Sequence, residues 1–211
     1  MKPFFKACMA FALALGVSAC AAPQTASRAA MPDAGLPGMA RPGMALASFT
    51  VSVPRSLSVN ERNTYYPRGD IVWRGDPYGD RHAQVKAIFE ESLRRAAPQI
   101  AGTRPVRMDI QVTRFHGLSE KARYSVGGVH DIDFRYRLID TATGAQIGEM
   151  RHVKADLEAL SGQAAMAADA QGRTQKARIT AHLARVIAEE LTVPGGHENA
   201  RLGLLQAINE L

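Results

Sequence analysis

The sequence predicts a single α+β domain, with two amphipathic helices on one face of a mainly antiparallel sheet of about four strands. Three observations lead there. Val106, Met108, Ile110 and Val112 alternate with Arg107, Asp109, Gln111 and Thr113, and Ile132, Phe134, Tyr136 and Leu138 alternate with Asp131, Asp133, Arg135 and Arg137. That two-residue period marks strands with one face in a core and one face wet. Val85, Ile88, Phe89, Leu93 and Ala96, and again Ile179, Leu183, Val186, Ile187 and Leu191, fall on single faces of helices,. The span from Ser48 to Leu191 has the length of one domain with its own core,.

Taken in order, Phe49, Val51 and Val53 alternate as a first strand, interrupted by Pro54 and resumed at Leu57 and Val59,. A polar stretch leads to the apolar patch Ile71-Val72-Trp73. Asp76-Pro77-Tyr78-Gly79 has turn chemistry, Asp80 is placed to cap the first helix, and Pro98 marks its end,. The two alternating strands follow. Asp140-Thr141-Ala142-Thr143-Gly144 joins the second to a return strand carrying Ile147, Met150 and Val153, whose irregular phase implies a bulge,. Residues 159–172 are Ala/Gly-rich and fit neither period. Pro194-Gly195-Gly196 stops the second helix, and Leu202, Leu205 and Ile208 outline a last short helix within 194–211,. On the wet face, opposite charges among Arg107, Asp109, Asp131, Asp133, Arg135 and Arg137 are placed to pair across strands.

The amino terminus has a different character. Lys2 and Lys6 precede an apolar run from Ala7 to Val17, which ends in Val17-Ser18-Ala19-Cys20. This is the layout of a cleavable export signal, here residues 1–19, and the run is far shorter than the ~20 residues a membrane-spanning helix needs. The motif at its end resembles the lipobox of bacterial lipoproteins. The resemblance implies cleavage between Ala19 and Cys20, a diacylglyceryl thioether on Cys20 and acylation of the new amino terminus, palmitate being such an acyl chain. It also implies sorting to the outer membrane, since Ala21 rather than Asp follows the cysteine. Cys8 leaves with the signal and Cys20 takes lipid, so the mature chain would hold no free thiol,. Residues 20–47 begin with the lipidated cysteine and continue as an Ala/Pro/Gly/Met-rich tether without periodicity, with a reach of roughly 30 Å. The domain itself is expected over 48–193.

The 26 Lys and Arg against 20 Asp and Glu become 24 against 20 without Lys2 and Lys6, a net charge of +4. Export would remove nucleic acid as the partner of this mild basicity. It leaves anionic headgroups and cell-wall polymer, or simply a mixed, solvated surface.

Catalytic motifs are missing. The six histidines make no H-x-x-x-H or H-E-x-x-H spacing, and no G-x-S-x-G or P-loop occurs,. His130-Asp131-Ile132-Asp133 is the best local cluster for a metal. On a strand, however, His130 points away from both aspartates, so a site would need His152 or another partner from across the sheet. Arg135 and Arg137 on the same face suit a salt-bridged surface better than a catalytic acid. The expectation is therefore no metal, no cofactor and no enzyme. The aromatic stretch is more informative: Tyr65, Tyr66, Trp73 and Tyr78 lie among Arg62, Arg68, Arg74 and Arg81. These residue types dominate binding hot spots and make a candidate partner or ligand patch. The alternative is that Trp73 anchors the core and the tyrosines seal a sheet edge.

The lipobox, the tether, the Tyr65-Tyr66-Pro67 to Trp73-Arg74-Gly75-Asp76 segment, the helix opening near Gln84-Val85 and the Asp140 to Gly144 hairpin together resemble a family of small Gram-negative lipoproteins of unknown function. More distantly, the element order is similar to auxiliary lipoproteins of lipid-trafficking ABC transporters and of lipopolysaccharide assembly. The first expectation is a non-enzymatic, outer-membrane-anchored periplasmic lipoprotein, held by lipid on Cys20, that binds an envelope protein, lipid or cell-wall polymer. An accessory subunit of lipid or lipopolysaccharide trafficking, and an enzyme acting on cell wall or lipid, are the alternatives.

Overall fold

The computed structural model describes residues 43–203 and residue 206. The expected signal, the lipidation site at Cys20 with its cleavage partner Ala19, and nearly all of the tether lie outside the described residues.

Among the described residues, six strands and four α-helices make up the domain. The strands are β1 (Met44–Ser52), β2 (Ile71–Val72), β3 (Arg104–His116), β4 (Gly128–Asp140), β5 (Gln146–Lys154) and β6 (Leu157–Ala159). The helices are α1 (Arg81–Ala96), α2 (Glu120–Arg123), α3 (Gly162–Ala170) and α4 (Gln175–Thr192). The principal order is β1-β3-β4-β5. β2 extends the lane of β1 along β3, and β6 extends the lane of β5 along β4. Three features correct the sequence reading. Four α-helices stand where two were expected in the domain, the additional α2 and α3 being short. Six strands replace about four, because two lanes are each built from two pieces. The sheet is also mixed, since β1 and β2 run parallel to β3. The chain between β1 and β3 contains α1, a crossover long enough to bring it back for parallel pairing.

The expected core faces of α1, α4, β3 and β4 are the observed ones, whereas Met150 of the return strand β5 is exposed. Asp80 caps α1 by accepting from the Ala83 amide, and Val85, Ile88, Phe89, Leu93 and Ala96 of α1 are fully buried. Ile179, Leu183, Val186, Ile187 and Leu191 of α4 join them in one core cluster with Val106, Met108, Ile110 and Val112 of β3 and Ile132, Phe134, Tyr136 and Leu138 of β4. Phe89 ties the layers together, its ring 5.5 Å from Phe134 and 6.3 Å from Phe115. On the other face Asp109 collects Arg107 Nε at 2.8 Å, Arg137 Nε at 3.2 Å and Thr50 Oγ1 at 2.7 Å, the cross-strand pairing the alternation implied. The bulge in β5 is real: Tyr136 pairs with Arg151 while Leu138 pairs with Ile147, and Gly148 absorbs the extra length at φ +68°.

Three boundaries shift. β1 starts at Met44, inside the expected tether. The ambiguous Ala/Gly-rich stretch holds α3, which buries only Ala165 and Ala168. Residues 198–203 are not helical. There the polar side chains bind outward instead of leaving the backbone to coil: Asn199 Oδ1 accepts from the Asp156 amide at 2.9 Å and its Nδ2 donates to Asp156 Oδ2 at 3.0 Å. Leu205 and Ile208, the rest of the expected helix stripe, lie outside the described residues.

Candidate functional site

A cleft of about 270 Å³ opens beyond the carboxyl ends of β2 and β3, lined by Arg74, Gly75, Leu118, Glu120, Arg123, Tyr124, Asp169, Thr174 and Gln175. Four segments supply it: the turn after β2, the loop and α2 after β3, the end of α3 and the start of α4.

The first wall depends on Trp73. Its indole is completely buried, edge-on to Phe115 at 5.4 Å, and its Nε1 donates to Asp76 Oδ2 at 2.8 Å. Lys176 Nζ reaches the other Asp76 oxygen at 2.6 Å and so pins this turn to the first turn of α4. With the indole fixed below, Arg74 turns to the cleft. It donates from Nε to Glu120 Oε2 and from Nη1 to the Glu61 carbonyl at 2.7 Å.

The second wall is α2. Ser119 caps it by accepting from the Ala122 amide, and the same hydroxyl donates to the Thr64 carbonyl at 2.6 Å. Arg123 then meets Asp169 at 2.6 Å, and the Tyr124 hydroxyl donates to the other Asp169 oxygen at 3.1 Å. Burial pushes the Glu120 carboxyl up, but the Arg74 hydrogen bond and the charges of Arg74 and Arg81 outweigh it and hold the group below the usual carboxylate range. Burial, aided by the bond to Asp169, raises the Tyr124 phenol. At neutral pH the cleft therefore presents two guanidinium–carboxylate pairs and a protonated phenol.

The floor is the amino end of α4. Thr174 caps it through the Ala177 amide. Gln175, only 3 % exposed, carries a side-chain Oε1 that is fully buried and has no hydrogen-bond partner among the described residues. Its Nε2 abuts Gly117, where a Cβ would lie 3.2 Å away.

The candidate aromatic patch divides. Trp73 is core. Tyr65, Tyr66 and Tyr78 are exposed, each beside a different partner: Lys121 Nζ 4.4 Å above the Tyr65 ring, the His116 ring 5.2 Å from Tyr66, and the Arg81 guanidinium 5.9 Å from Tyr78. Thus Trp73 fits the core-anchor alternative, and what the Trp73-Arg74-Gly75-Asp76 segment brings to a site is Arg74 and Gly75. Tyr124, Asp169 and Gln175 carried no sequence signal, since no motif spacing links them.

A second cluster sits on the wet face. Asp131 and Asp133 of β4 are joined by Asp156, and the three can each offer an oxygen within 4.8 Å of the others. His130 is buried toward the core side as the strand phase requires, and His152 Nε2 stands 3.7 Å from Asp133. Burial raises the carboxyls of Asp131 and Asp133, the second also through the charge of the first. Protein groups already engage two of the three: Arg114 donates to Asp131, and Asn199 and Gln206 donate to Asp156. Asp133 Oδ1 is buried without a partner among the described residues.

Residues 44–207 match the model of a family of unknown function, DUF6778. Among solved structures, the chain is similar to a candidate lipoprotein of Caulobacter crescentus, at 19 % identity over 50 % of this chain and 79 % of that one, with a TM-score of 0.30. It is also similar to a DUF330 protein of Xanthomonas campestris, at 18 % identity over 74 % and 86 %, with a TM-score of 0.42. A third likeness is to the PelC dodecamer of Paraburkholderia phytofirmans, at 14 % identity over 72 % and 90 %, with a TM-score of 0.33. No curated protein matches the chain.

Proposed function

The chain belongs to the DUF6778 family of unknown function, and on that premise we propose that it is an envelope lipoprotein, held in the outer membrane by acylated Cys20, whose periplasmic domain binds another envelope component without transforming it. The observation that carries the reading is Val17-Ser18-Ala19-Cys20 behind Lys2, Lys6 and an uncharged apolar run,. Among the described residues no helix is long and apolar enough to cross a membrane. More than one acyl chain is needed for firm anchoring, which the lipobox chemistry supplies. The cleft supports binding rather than turnover. Its carboxylates are matched to arginines, and Glu120 is held ionised, the wrong state for donating a proton,. The polar lining favours a hydrogen-bonding headgroup, glycan or protein segment over an acyl chain.

Native mass spectrometry of the protein extracted from its own membranes in mild detergent tests this reading. The expected mass begins at Cys20 and includes acyl chains, and Cys20→Ser releases the chain from the membrane fraction. A mature mass without acyl chains, or a Cys20→Ser protein that stays with the outer membrane, overturns it.

A further inference from the structure

We propose that the loop between β1 and β2 carries a docking surface for an acidic segment of another envelope protein, built on Arg62, Tyr65, Arg68 and Lys121. The proposal rests on the envelope reading for where the partner resides and on the loop itself for its chemistry. The loop is exposed yet held at several points. The Asn60 amide donates to the Ile71 carbonyl at 2.9 Å, and Asn60 Nδ2 donates to the Arg68 carbonyl at 2.5 Å, closing its two limbs. Its crown is fastened to α2: Asn63 Oδ1 accepts from the Lys121 amide at 2.8 Å, and the Thr64 carbonyl accepts from Ser119. Pro67 is buried, while Arg62 to Tyr66 and Arg68 on either side of it are exposed. A loop already fixed in shape loses little conformational freedom on binding.

Charge is sorted around this loop. The carboxylates of the loop and of α2 are each engaged within the domain: Glu61 by Arg81 at 2.8 Å, Asp70 by the Ser58 amide at 2.8 Å and hydroxyl at 2.7 Å, and Glu120 by Arg74. Arg62, Arg68 and Lys121 make no ion pair among the described residues, and Lys121 Nζ lies over the ring of Tyr65, which is 54 % exposed. The surface thus offers its cations and turns its anions inward, which complements Asp and Glu side chains. Tyrosine among arginines adds the residue types that carry interface energy. Buried Arg81 also donates to the Asp76 and Pro77 carbonyls at 3.1 Å, which ties the loop to the turn bearing the exposed Tyr78. Position favours a protein over the anchoring membrane. The Tyr66 ring lies against His116, at the end of β3, whereas the chain from Cys20 joins the domain where Met44 pairs with Arg104, at the start of β3. At about 3.3 Å per residue the 13 residues of β3 set these ends roughly 40 Å apart,.

The test uses the full acylated chain in micelles of a neutral detergent. Fluorescence anisotropy of a fluorescein-labelled peptide of Glu-Asp-Phe repeats reads binding. Unlabelled peptide, glycerophosphoglycerol as a soluble phospholipid headgroup, and trigalacturonate as an acidic sugar compete in separate arms. The expected result is saturable peptide binding with a dissociation constant of about 100 μM or tighter at low salt, weakened roughly tenfold at ~0.15 M salt. Arg62→Glu and Arg68→Glu should each weaken it roughly three- to tenfold, and Tyr65→Ala about threefold. Arg135→Glu, the same reversal at an exposed arginine on the wet face of the sheet, should change it less than about twofold,. Emission of the buried Trp73 shows that the variants are folded. Absent peptide binding, an Arg135→Glu loss equal to those at the loop, or displacement of the label by headgroup or sugar at lower charge equivalents than by unlabelled peptide overturns the proposal. The acyl state is read by mass on the same sample. Absent peptide binding with lipid in place therefore sinks the docking surface alone, and absent lipid sinks the anchor alone.

Discussion

Replacing Gly75 by alanine tests the architecture beneath the cleft at a single atom. A methyl there would lie 2.4 Å from Cη2 and 2.5 Å from Cζ2 of Trp73, whereas carbon atoms in contact rest at about 3.5–4.0 Å. More than an ångström must be found. The indole cannot yield it cheaply, because Phe115 meets it edge-on at 5.4 Å and Asp76 holds its Nε1 at 2.8 Å. Overpacking of this kind costs about 1–3 kcal/mol. At about 2–4 °C per kcal/mol for a domain of this size, the melting point should fall by roughly 2–12 °C. Trp73 is the sole tryptophan, so its emission follows both the melt and the local environment. Urea and thermal unfolding monitored by that emission should show a lower midpoint and a native spectrum shifted to the red. Gly144→Ala is the control. Its methyl meets nothing within 4 Å, but its φ of +72° costs a β-carbon about 1–2 kcal/mol, so stability should fall with the native spectrum unchanged. A Gly75→Ala protein with wild-type midpoint and emission would refute the packing described for the Trp73 wall.

Two further outcomes follow from buried charge. Burial, with Arg114 and Arg185 adding their charges, lowers His116 and His182 to about 4, and burial lowers His130 to about 3. Each takes a proton in the unfolded chain near pH 6.5 and resists it in the fold. The unfolded state therefore binds more protons in this window, and stability is lost as pH falls from about 6.5 toward about 4. Even one pKa unit expressed at each imidazole removes about 4 kcal/mol, so urea melts at pH 7 and pH 5 should differ clearly, and identical melts would show these histidines to be hydrated. At the acidic cluster, Asp133→Asn removes repulsion from Asp131 in a site where burial already disfavours the charge. The variant should gain up to about 1 kcal/mol at pH 7 and lose that advantage at acidic pH, where the native carboxyl is protonated. A loss of stability at pH 7 would mean that Asp133 serves as a needed counter-charge to His152 or Lys154.

The helix faces and strand faces were legible because periodicity reports which residues share a side. Val85 to Ala96 in α1 and Ile132 to Leu138 in β4 are buried in the pattern their spacing implied. Periodicity is silent about which strand lies alongside, so the parallel pairing of β1 with β3 could not be read from it,. α3 escaped notice because its buried side is two alanines, too small to stand out in an Ala/Gly-rich stretch. Residues 198–203 carry Leu202 among polar residues that suit a helix, but hydrogen bonds exchanged between Asn199 and Asp156 and donated by the His197 amide to Glu190 hold the chain open. The cleft was legible along one wall only. The Trp73-Arg74-Gly75-Asp76 segment stood out by residue type. Glu120, Arg123, Tyr124, Asp169 and Gln175 come from separate parts of the chain, gathered by the fold, and linear spacing held no trace of them. Asp156 joined Asp131 and Asp133 in the same way.

The bulge in β5 has a bearing on how copies of this protein tolerate one another. β5 ends the main run of the sheet, and a straight strand in that position would present unpaired amides and carbonyls to any neighbour, the usual seed of runaway edge-to-edge assembly,. Gly148 breaks the repeat of that edge, and Glu149, Arg151 and Lys154 put charges along it. A second β5 laid alongside would lose register within a few residues,. A lipid anchor of the kind proposed would hold copies on one shared surface. For such molecules an irregular edge is a safeguard of colloidal stability, and straightening it would trade a slightly better strand for a sticky one.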